Sequence, residues 1–270
     1  MTKPIMRPST EKLITEALVI QEEDAKAAGT LGFMARSMVM ATLPHKNPKT
    51  AVFERRNGNY LLTMVSPPRV GLPYGTYPRL LLSWISSEAV KKREPTLILG
   101  NSLSGFMEQL GLLPTGGRWG TISRLKGQMT KLFSSTISAS FQDESRAAGI
   151  NMPVVESYDL WWEPQDPAQA ALWESTLTLN KRFFDEIIEH PVPIDLRALK
   201  ALKGSSMAMD IYIWATWRVF SVRKSIQIPW ELLQAQFGSD YADTKQGRYE
   251  FKRQFKNHLV KVLSVCPDLK

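Results

Sequence analysis

Basic and amide side chains gather on one side of a predicted helix that begins at Thr121. Its inward positions are apolar, at spacings of three, four and three: Ile122, Leu125, Met129 and Leu132. Its outward positions are Arg124, Gln128 and Lys131, and Arg118 lies just before the helix. Guanidinium groups can contact guanine edges and phosphates, an amide can pair with adenine, and an ammonium can neutralise a phosphate. These residues predict contact with DNA, although any amphipathic surface helix also has a polar face.

A second basic helix is predicted near the end of the chain. Its core-facing positions are Phe251, Phe255, Leu259 and Val262. Its outward positions are Arg248, Lys252, Lys256 and His258, with Arg253 and Lys261 at the flanks. Residues 245–270 contain seven Lys or Arg and two acidic residues, so this helix has the denser positive field. Phosphate contacts here are expected to dominate affinity and to make binding steeply salt-dependent.

The elements before Thr121 have the order of a helix-turn-helix with a further helix in front. Helical spacing of apolar residues predicts a helix over residues 77–92. Residues 96–99 are short and extended, and a second short helix follows over residues 103–110. The loop of residues 115–120 contains glycines and leads into the basic helix. This order suits docking into a groove of DNA.

The second half of the chain repeats this order. Residues 212–224 predict a long apolar helix, followed by an extended piece at 226–228 and the run PWELLQAQFG. The run GRYEFKRQFKNHLVKVL, from Gly247, then matches GRWGTISRLKGQMTKLF, from Gly117, at a constant offset that pairs Trp119 with Tyr249. The shared order of elements predicts duplication of one helix-turn-helix unit.

Strand-like segments surround these helices. Asn57-Gly58 predicts the type I′ turn of a hairpin within residues 51–65. Strand-like runs at residues 134–141, 153–162 and 172–179 follow the first basic helix, as in a winged helix, with residues 143–152 as the tip of the wing. Three tryptophans in this region are expected to pack in the core or the wing rather than to stack on bases: Trp161, Trp162 and Trp173.

The predicted fold class is α+β, mainly helical, with two tandem winged-helix domains. Residues 1–50 are expected to form an N-terminal arm with a short helix from Glu11 to Lys26. Residues 51–180 would form the first winged-helix domain and residues 181–270 the second. The run from His190 to Pro193 between them is expected to be a rigid elbow and a candidate hinge, because each proline restricts its neighbour.

Composition bounds the protein's class. The 270 residues carry a formal charge of +8 with a pI near 9.5, which implies attraction to polyanions. Cys266 is the only cysteine, so an intramolecular disulfide and a cysteine-rich zinc site are excluded, and a reducing cytoplasm is expected. The first ten residues lack the apolar centre of a signal peptide, and the most apolar helical run, residues 207–222, is too short to span a bilayer.

Catalytic and cofactor motifs are not evident in the sequence. Gly111 to Gly116 has the glycine spacing of a phosphate-binding loop, but Gly117-Arg118 stands where Lys followed by Ser or Thr is required. His45, His190 and His258 fall in different predicted elements and give no metal-ligand spacing. We therefore expect no enzyme activity, no cofactor and no metal.

Five longer runs resemble the plasmid-encoded RepA-type replication initiators of bacteria: GLPYGTYPRLLLSWISSEAVKK, LGNSLSGFMEQLG, LPTGGRWGTISRLKGQM, FFDEIIEHPVPIDLRALKALK and IPWELLQAQFGSDY. The resemblance covers residues 52–263. It implies two winged-helix domains that bind directly repeated sites in double-stranded DNA at a plasmid origin. It also implies help in opening the duplex, recruitment of host helicase, initiator and polymerase proteins, and repression of the protein's own promoter as a homodimer. Such initiators continue past the last helix into strands of a second wing. Because this sequence ends at Lys270, we expect that wing to be short or missing.

Two other functions remain as alternatives to a plasmid replication initiator. A transcriptional regulator with tandem winged helices would use the same fold and the same basic helices. A DNA-nicking enzyme would need a tyrosine beside a histidine cluster or a basic pocket, and no such constellation is evident in the sequence.

Overall fold

The computed structural model describes residues 8–162, 166–169, 171, 174–238 and 240–269, with side chains from residue 12 onward. The helices are α1 (Pro8–Glu22), α2 (Arg36–Met40), α3 (Thr76–Lys92), α4 (Leu103–Gln109), α5 (Thr121–Phe133), α6 (Lys181–Glu189), α7 (Leu196–Ala201), α8 (Ser206–Ser221), α9 (Trp230–Phe237) and α10 (Lys245–Val265). The strands are β1 (Leu31–Ala35), β2 (Val52–Asn57), β3 (Tyr60–Val65), β4 (Thr96–Gly100), β5 (Thr136–Gln142), β6 (Ala147–Pro153), β7 (Val155–Asp159), β8 (Ser175–Leu179) and β9 (Pro191–Asp195). The fold thus mixes α and β elements.

Helix α3 lies at the centre of the fold. Every residue from Pro78 to Ser87 is buried, because strand β1 and helices α5, α6, α7 and α8 all pack against it. Ser87 Oγ donates to the Ser83 carbonyl at 2.6 Å and accepts from the Phe33 amide at 2.9 Å, which ties β1 to the helix. The helix predicted over residues 77–92 is confirmed, but it is buried all round rather than on one face.

A three-stranded antiparallel sheet has the order β4-β8-β7. Strand β4 lies between α3 and α4 in the chain, whereas β7 and β8 both follow α5. Trp162, just after β7, stacks on Phe106 of α4 with ring centroids 5.2 Å apart, so its predicted packing role is confirmed. Its neighbour Trp161 is exposed, and Trp173 lies outside the described residues.

A four-stranded antiparallel sheet has the order β2-β3-β5-β6. The predicted hairpin is confirmed, but Asn57 pairs with Tyr60, so Gly58 and Asn59 are the central residues of its turn. Only Gly58 has a positive φ, of 59°, which is the φ pattern of a type II′ turn rather than type I′. Residues 147–152, predicted as part of a wing tip, are instead in strand β6, which pairs along its whole length with β5.

The predicted elbow is a strand. Residues 191–195 form β9, which pairs antiparallel with β1 and buries Val192 and Ile194. Pro191 and Pro193 fall on the same alternate positions as Asp195, whose amide points away from β1 and donates to Tyr212 Oη at 2.7 Å. The prolines therefore occupy positions where the β1–β9 ladder needs no donor. The segment is a paired connection and not a hinge.

The N-terminal segment before β2 contains more than a short helix. Helix α1 ends at Glu22, earlier than the predicted end at Lys26, and the Asp24 carboxylate then accepts from the Lys26 amide at 2.8 Å to close a turn. Helix α1 packs against α7 and α10. Strand β1 and helix α2 follow within the predicted arm, and they bury Met34, Ala35 and Val39 in the core.

One continuous cluster of buried apolar residues extends from β1 and α2 to α10. The first residues of α3 and α8, Thr76 and Ser206, are separated by the same offset as Gly117 and Gly247 of the sequence repeat. Helices α9 and α10 then follow α8 as α4 and α5 follow α3. Among the described residues no strand follows β9, so the extended piece at 226–228 joins no sheet. The duplication and the domain boundaries at residues 50 and 180 remain predictions.

Candidate nucleic-acid interface

The loop before α5 is closed by a reciprocal pair of threonines. Thr121 donates its amide to Thr115 Oγ1 at 2.9 Å, and Thr115 donates its amide to Thr121 Oγ1 at 2.8 Å. Gly120 lies so close to this loop that a Cβ built on it would be 2.1 Å from the Thr115 carbonyl oxygen, which only glycine avoids. The loop is therefore held in one shape, and it presents Arg118 and Trp119 to solvent.

Helix α5 is amphipathic as predicted. Its four inward residues are buried: Ile122, Leu125, Met129 and Leu132. Arg124 is exposed, and its guanidinium carbon lies 5.7 Å from the ring centroid of Tyr77. Lys131 Nζ lies 4.7 Å from the Tyr74 ring, and partial burial lowers the pKa of this lysine. Two of the predicted cations therefore lie over tyrosines, Tyr77 in the first turn of α3 and Tyr74 just before that helix, which restricts their side chains.

The outward placement predicted for Gln128 is wrong. Its side chain is only 8% exposed, and its Oε1 accepts from the Tyr74 amide at 2.8 Å. Residue 128 falls between the inward positions 125 and 129 once the helix is in place, so it turns toward α3 rather than toward solvent. The amide oxygen thus binds the backbone just before α3. This bond fixes Tyr74, whose ring lies under Lys131.

Helix α10 holds the second predicted set. Phe251, Phe255 and Val262 are buried as predicted, and Leu259 packs against the core while half-buried. Two of its outward cations have acidic partners, because Arg253 Nη2 lies 2.6 Å from Glu250 and Arg248 Nη1 lies 3.4 Å from Asp243. The net positive field of this helix is therefore smaller than its count of cations implies.

The lysines of α10 are the freer charges. Lys252 and Lys256 both lie over the ring of Trp230 at the start of α9, at 5.6 and 5.8 Å from its centroid. Lys256 and Lys261 are exposed, and within the described part of the chain neither forms a salt bridge. These two ammonium groups can reach a phosphate without losing an existing ion pair.

His258, predicted at the surface, is half-buried. Its Nδ1 lies 3.2 Å from Ser205 Oγ, the side chain that caps α8. Burial, together with the charge of Lys261, lowers the pKa of His258 to about 4. The imidazole is therefore neutral near pH 7 and adds no cation to the α10 surface.

The two basic helices meet at one cleft of about 400 Å³. Arg124 and Gln128 of α5 line one side and His258 of α10 lines another. The first residues of α3 and α8, Thr76 and Ser206, also open onto it. Arg124 thus faces a concave surface shared by both halves, whereas Arg118 lies on the outer loop.

A buried ion network joins α3 to α8 beside this cleft. Arg79 donates to both carboxylate oxygens of Asp210, at 2.7 and 2.6 Å, and to the Leu43 carbonyl at 2.8 Å. His45 Nε2 lies 2.8 Å from the same carboxylate. Arg79 holds the pKa of Asp210 below its usual value against the cost of burial, and burial lowers the pKa of His45. This bidentate pair fixes one half of the molecule against the other.

Sequence reasoning missed this network, although one signal was present. Asp210 is an acidic residue inside the most apolar helical run, and a charge there needs a buried partner. The identity of that partner depends on packing between residues 131 positions apart. His45 lies outside any helix or strand but is buried against Asp210.

Two other kinds of feature, a metal site and a membrane-spanning helix, are absent from the described residues. No group of three His, Cys, Asp or Glu side chains among them is placed to hold a metal ion. None of the described helices is long and apolar enough to cross a membrane.

Comparison with known proteins gives one family and one fold. A family model described as "Plasmid encoded RepA protein" matches residues 72–231, more than half of the chain. Two crystal structures of RctB domains 2 and 3 are similar in fold. A selenomethionine derivative has a TM-score of 0.52 at 9% identity, over 82% of this chain and 83% of that one. The second has a TM-score of 0.51 at 11% identity, over 84% and 82%. None of the curated proteins is a significant match in sequence.

Proposed function

The chain belongs to the family of plasmid encoded RepA proteins, and on that premise we propose that it is an initiator of plasmid replication. In this role it binds double-stranded DNA at repeated sites in the plasmid origin. It supports opening of the origin and recruits host replication proteins such as a helicase and an initiator. Its part is binding, without a catalytic step, a cofactor or a metal.

The observation that carries the proposal is the shared cleft. Helices α5 and α10 each follow a shorter helix and a turn, and both line the same concave surface. Arg124 of α5 lines it, and on α10 the exposed Lys261 is close enough to the lining residue His258 for its charge to lower the pKa of that imidazole. A polyanion that lies along this face meets both helices at once, which suits a DNA duplex.

The topology of the first half supports a winged helix. In that arrangement one strand precedes the helix-turn-helix pair and pairs with the second strand of a hairpin that follows the pair. The sheet order β4-β8-β7, with β4 before α4 and β7 and β8 after α5, fits this scheme. Strands β5 and β6, which residues 143–146 join, come between α5 and β7 in the chain and belong to the other sheet, and a wing within residues 143–152 stays a prediction. The second half supplies the helical part alone within the described residues.

The two helices are assigned different shares of the binding. Arg124 faces the cleft from α5, so it is placed to read base edges and to set sequence preference. Lys256 and Lys261 on α10 are exposed and free of ion pairs among the described residues, so they neutralise phosphates. Affinity then depends mainly on α10 and discrimination mainly on α5.

Footprinting on the origin DNA of the plasmid that carries this gene tests the proposal. Protection of repeated sites is expected, with an affinity that falls steeply as salt rises. The control is a random duplex of equal length and composition. Equal affinity for the two duplexes at moderate salt would remove sequence-specific binding, and the proposed function with it.

Two further assays separate the alternatives. A promoter reporter on a vector that lacks the origin reports autorepression, and a plasmid maintenance assay with the gene deleted reports initiation. An initiator loses the plasmid on deletion, whereas a regulator alone changes only the reporter. Incubation of supercoiled plasmid with Mg²⁺ should give no nicked product, and sedimentation with and without origin DNA gives the proportion of homodimer.

A further inference from the structure

Trp119 is an indole that the fold does not use. It is 78% exposed, at the end of the loop that leads into α5. Among the described residues its one ring contact is the guanidinium of Arg118, whose Cζ lies 5.2 Å from the ring centroid. Other tryptophans pack inside, as Trp162 does on Phe106 and Trp84 does against the same ring. One exposed apolar side chain is ordinary on a protein surface, but here Trp119 shares its loop with the equally exposed Leu113 and adjoins a cation.

The loop that carries Trp119 is rigid. The reciprocal Thr115–Thr121 hydrogen bonds close it, and Ser123 Oγ donates to the Gly117 carbonyl at 2.9 Å. Leu113, on the same loop, is also almost fully exposed. These bonds set the backbone of the loop with Trp119 outward, so a partner that covers the indole meets a backbone that is already ordered.

The surroundings of Trp119 identify the chemistry of the partner. Arg118 and Arg124 flank the start of α5, and Lys126 is exposed one turn further on. Helix α5 has no acidic residue in its first turn. A flat aromatic surface among cations suits a ligand with a flat aromatic face and a negative backbone. Nucleic acid bases freed from pairing have that face, because a base inside a duplex is already stacked on its neighbours.

We infer that Trp119 stacks on unpaired bases of DNA, with Arg118 on the adjoining phosphate. The inference rests on the proposed function and makes it more specific, because it assigns the capture of opened DNA to one residue. The corresponding position in the sequence repeat, Tyr249, does not share this geometry. Tyr249 lies within the first turns of α10, whereas Trp119 lies on a turn before its helix.

The experiment compares two DNA probes and four proteins. One probe is a fully paired duplex of a footprinted repeat, and the other is the same duplex with a central bubble of unpaired thymines. The proteins are the wild type, Trp119→Ala, Trp119→Phe and a matched control, Phe220→Ala. Phe220 is 80% exposed but lies at the far end of α8, beside α1 and Cys266. Circular dichroism confirms that each variant is folded.

The wild type is expected to bind the bubble about tenfold more tightly than the duplex, the size of one aromatic stacking contact. Trp119→Ala should bring the ratio close to one while duplex affinity stays within about threefold. Trp119→Phe should keep most of the preference, and Phe220→Ala should leave it unchanged.

Several results would overturn the inference and leave the proposed function standing. A wild type without preference for the bubble, or a Trp119→Ala protein with the wild-type ratio, removes base stacking. Equal weakening on both probes assigns Trp119 to the duplex. A change in sedimentation with an unchanged ratio assigns Trp119 to a protein contact. A wild type that binds neither probe refutes the proposed function as well.

Discussion

The two helical units of this protein have the same order of elements but differ in how their charges are held. In the first unit, Arg124 and Lys131 rest on tyrosines, and a closed loop sets the start of α5. In the second, α10 begins before the position that matches the start of α5, and Arg248 and Arg253 are paired with acids. The second unit has more cations, but two of them are already paired with acidic side chains. The number of cations in a sequence is a poor measure of the field they produce.

The units also differ in what surrounds them. The first unit is accompanied by two sheets, β4-β8-β7 and β2-β3-β5-β6. Their strands come before, between and after its helices in the chain. The second has helices alone after β9 within the described residues, and it is covered by α1, which packs on α10. Helix α1 thus covers part of the second unit, as strand β4 covers part of the first.

The largest effect is expected where the units join. Asp210→Ala leaves the buried Arg79 guanidinium without its partner, and breaking such a buried pair costs about 3–5 kcal/mol of unfolding free energy. Urea unfolding followed by tryptophan fluorescence measures it. The control is Asp243→Ala, whose side chain is 89% exposed and pairs with Arg248 at the surface. That change should cost at most about 1 kcal/mol. Equal losses would mean that the network does not join the units.

A smaller effect is expected on sequence discrimination. Arg124→Ala should reduce the preference for the footprinted repeat over random duplex by about 1–3 kcal/mol, because one base contact is lost. Competition binding with single base-pair variants locates the position that it reads. Lys126→Ala, also exposed on α5 but about 200° round the helix from Arg124, is the matched control and should leave the preference between the duplexes unchanged. Loss of affinity without loss of preference in Arg124→Ala would place α5 on phosphates only.

A uniform effect is expected from α10. Lys256→Ala combined with Lys261→Ala should weaken binding to every duplex and lower the slope of log affinity against log salt by about 2. Lys91→Ala combined with Lys92→Ala is the matched control, because these exposed lysines are engaged with Glu88 at the end of α3. An unchanged salt slope in the α10 double variant would show that α10 does not face the DNA backbone.

The smallest effect is expected from His258 and concerns pH. Its pKa is lowered to about 4 in the folded chain, so the unfolded chain, with an ordinary pKa near 6.5, binds more protons between these values. Stability should therefore fall as pH falls from about 6.5 toward 4. His258→Gln should flatten that fall, because the variant has no imidazole to protonate at this position. Identical pH profiles for wild type and His258→Gln would contradict the assignment.

Local patterns predicted much of the fold. The spacing of apolar residues located α3, α5 and α10, because apolar side chains recur every three or four positions in each, although α3 is buried all round. The hairpin of β2 and β3 followed from a turn signal between two apolar runs. The predicted turn type was wrong, and the central residues of the turn lie one position later than predicted. These features depend on neighbours in the chain.

The misses depend on distant partners. Gln128 lies at the border of the inward face, and only the position of Tyr74 decides that its amide turns in. Two prolines suggested an elbow at residues 190–193, but pairing with β1, near the other end of the chain, makes a strand of it. Arg79 and Asp210 lie in separate helices 131 residues apart. Periodicity in one segment carries no information about such pairs.

The paired strand β9 and the Arg79–Asp210 bond have a consequence for the spacing of DNA contacts. Both features hold the two helical units at one separation and one angle, since each would have to break before the units could move apart. On the proposed function, α5 and α10 then contact the duplex at a fixed distance from each other. Bases read by the first unit and phosphates held by the second stand at a constant distance along the duplex. Adding half a helical turn inside a single repeat should abolish binding, whereas changing the spacing between repeats should be tolerated by separate molecules.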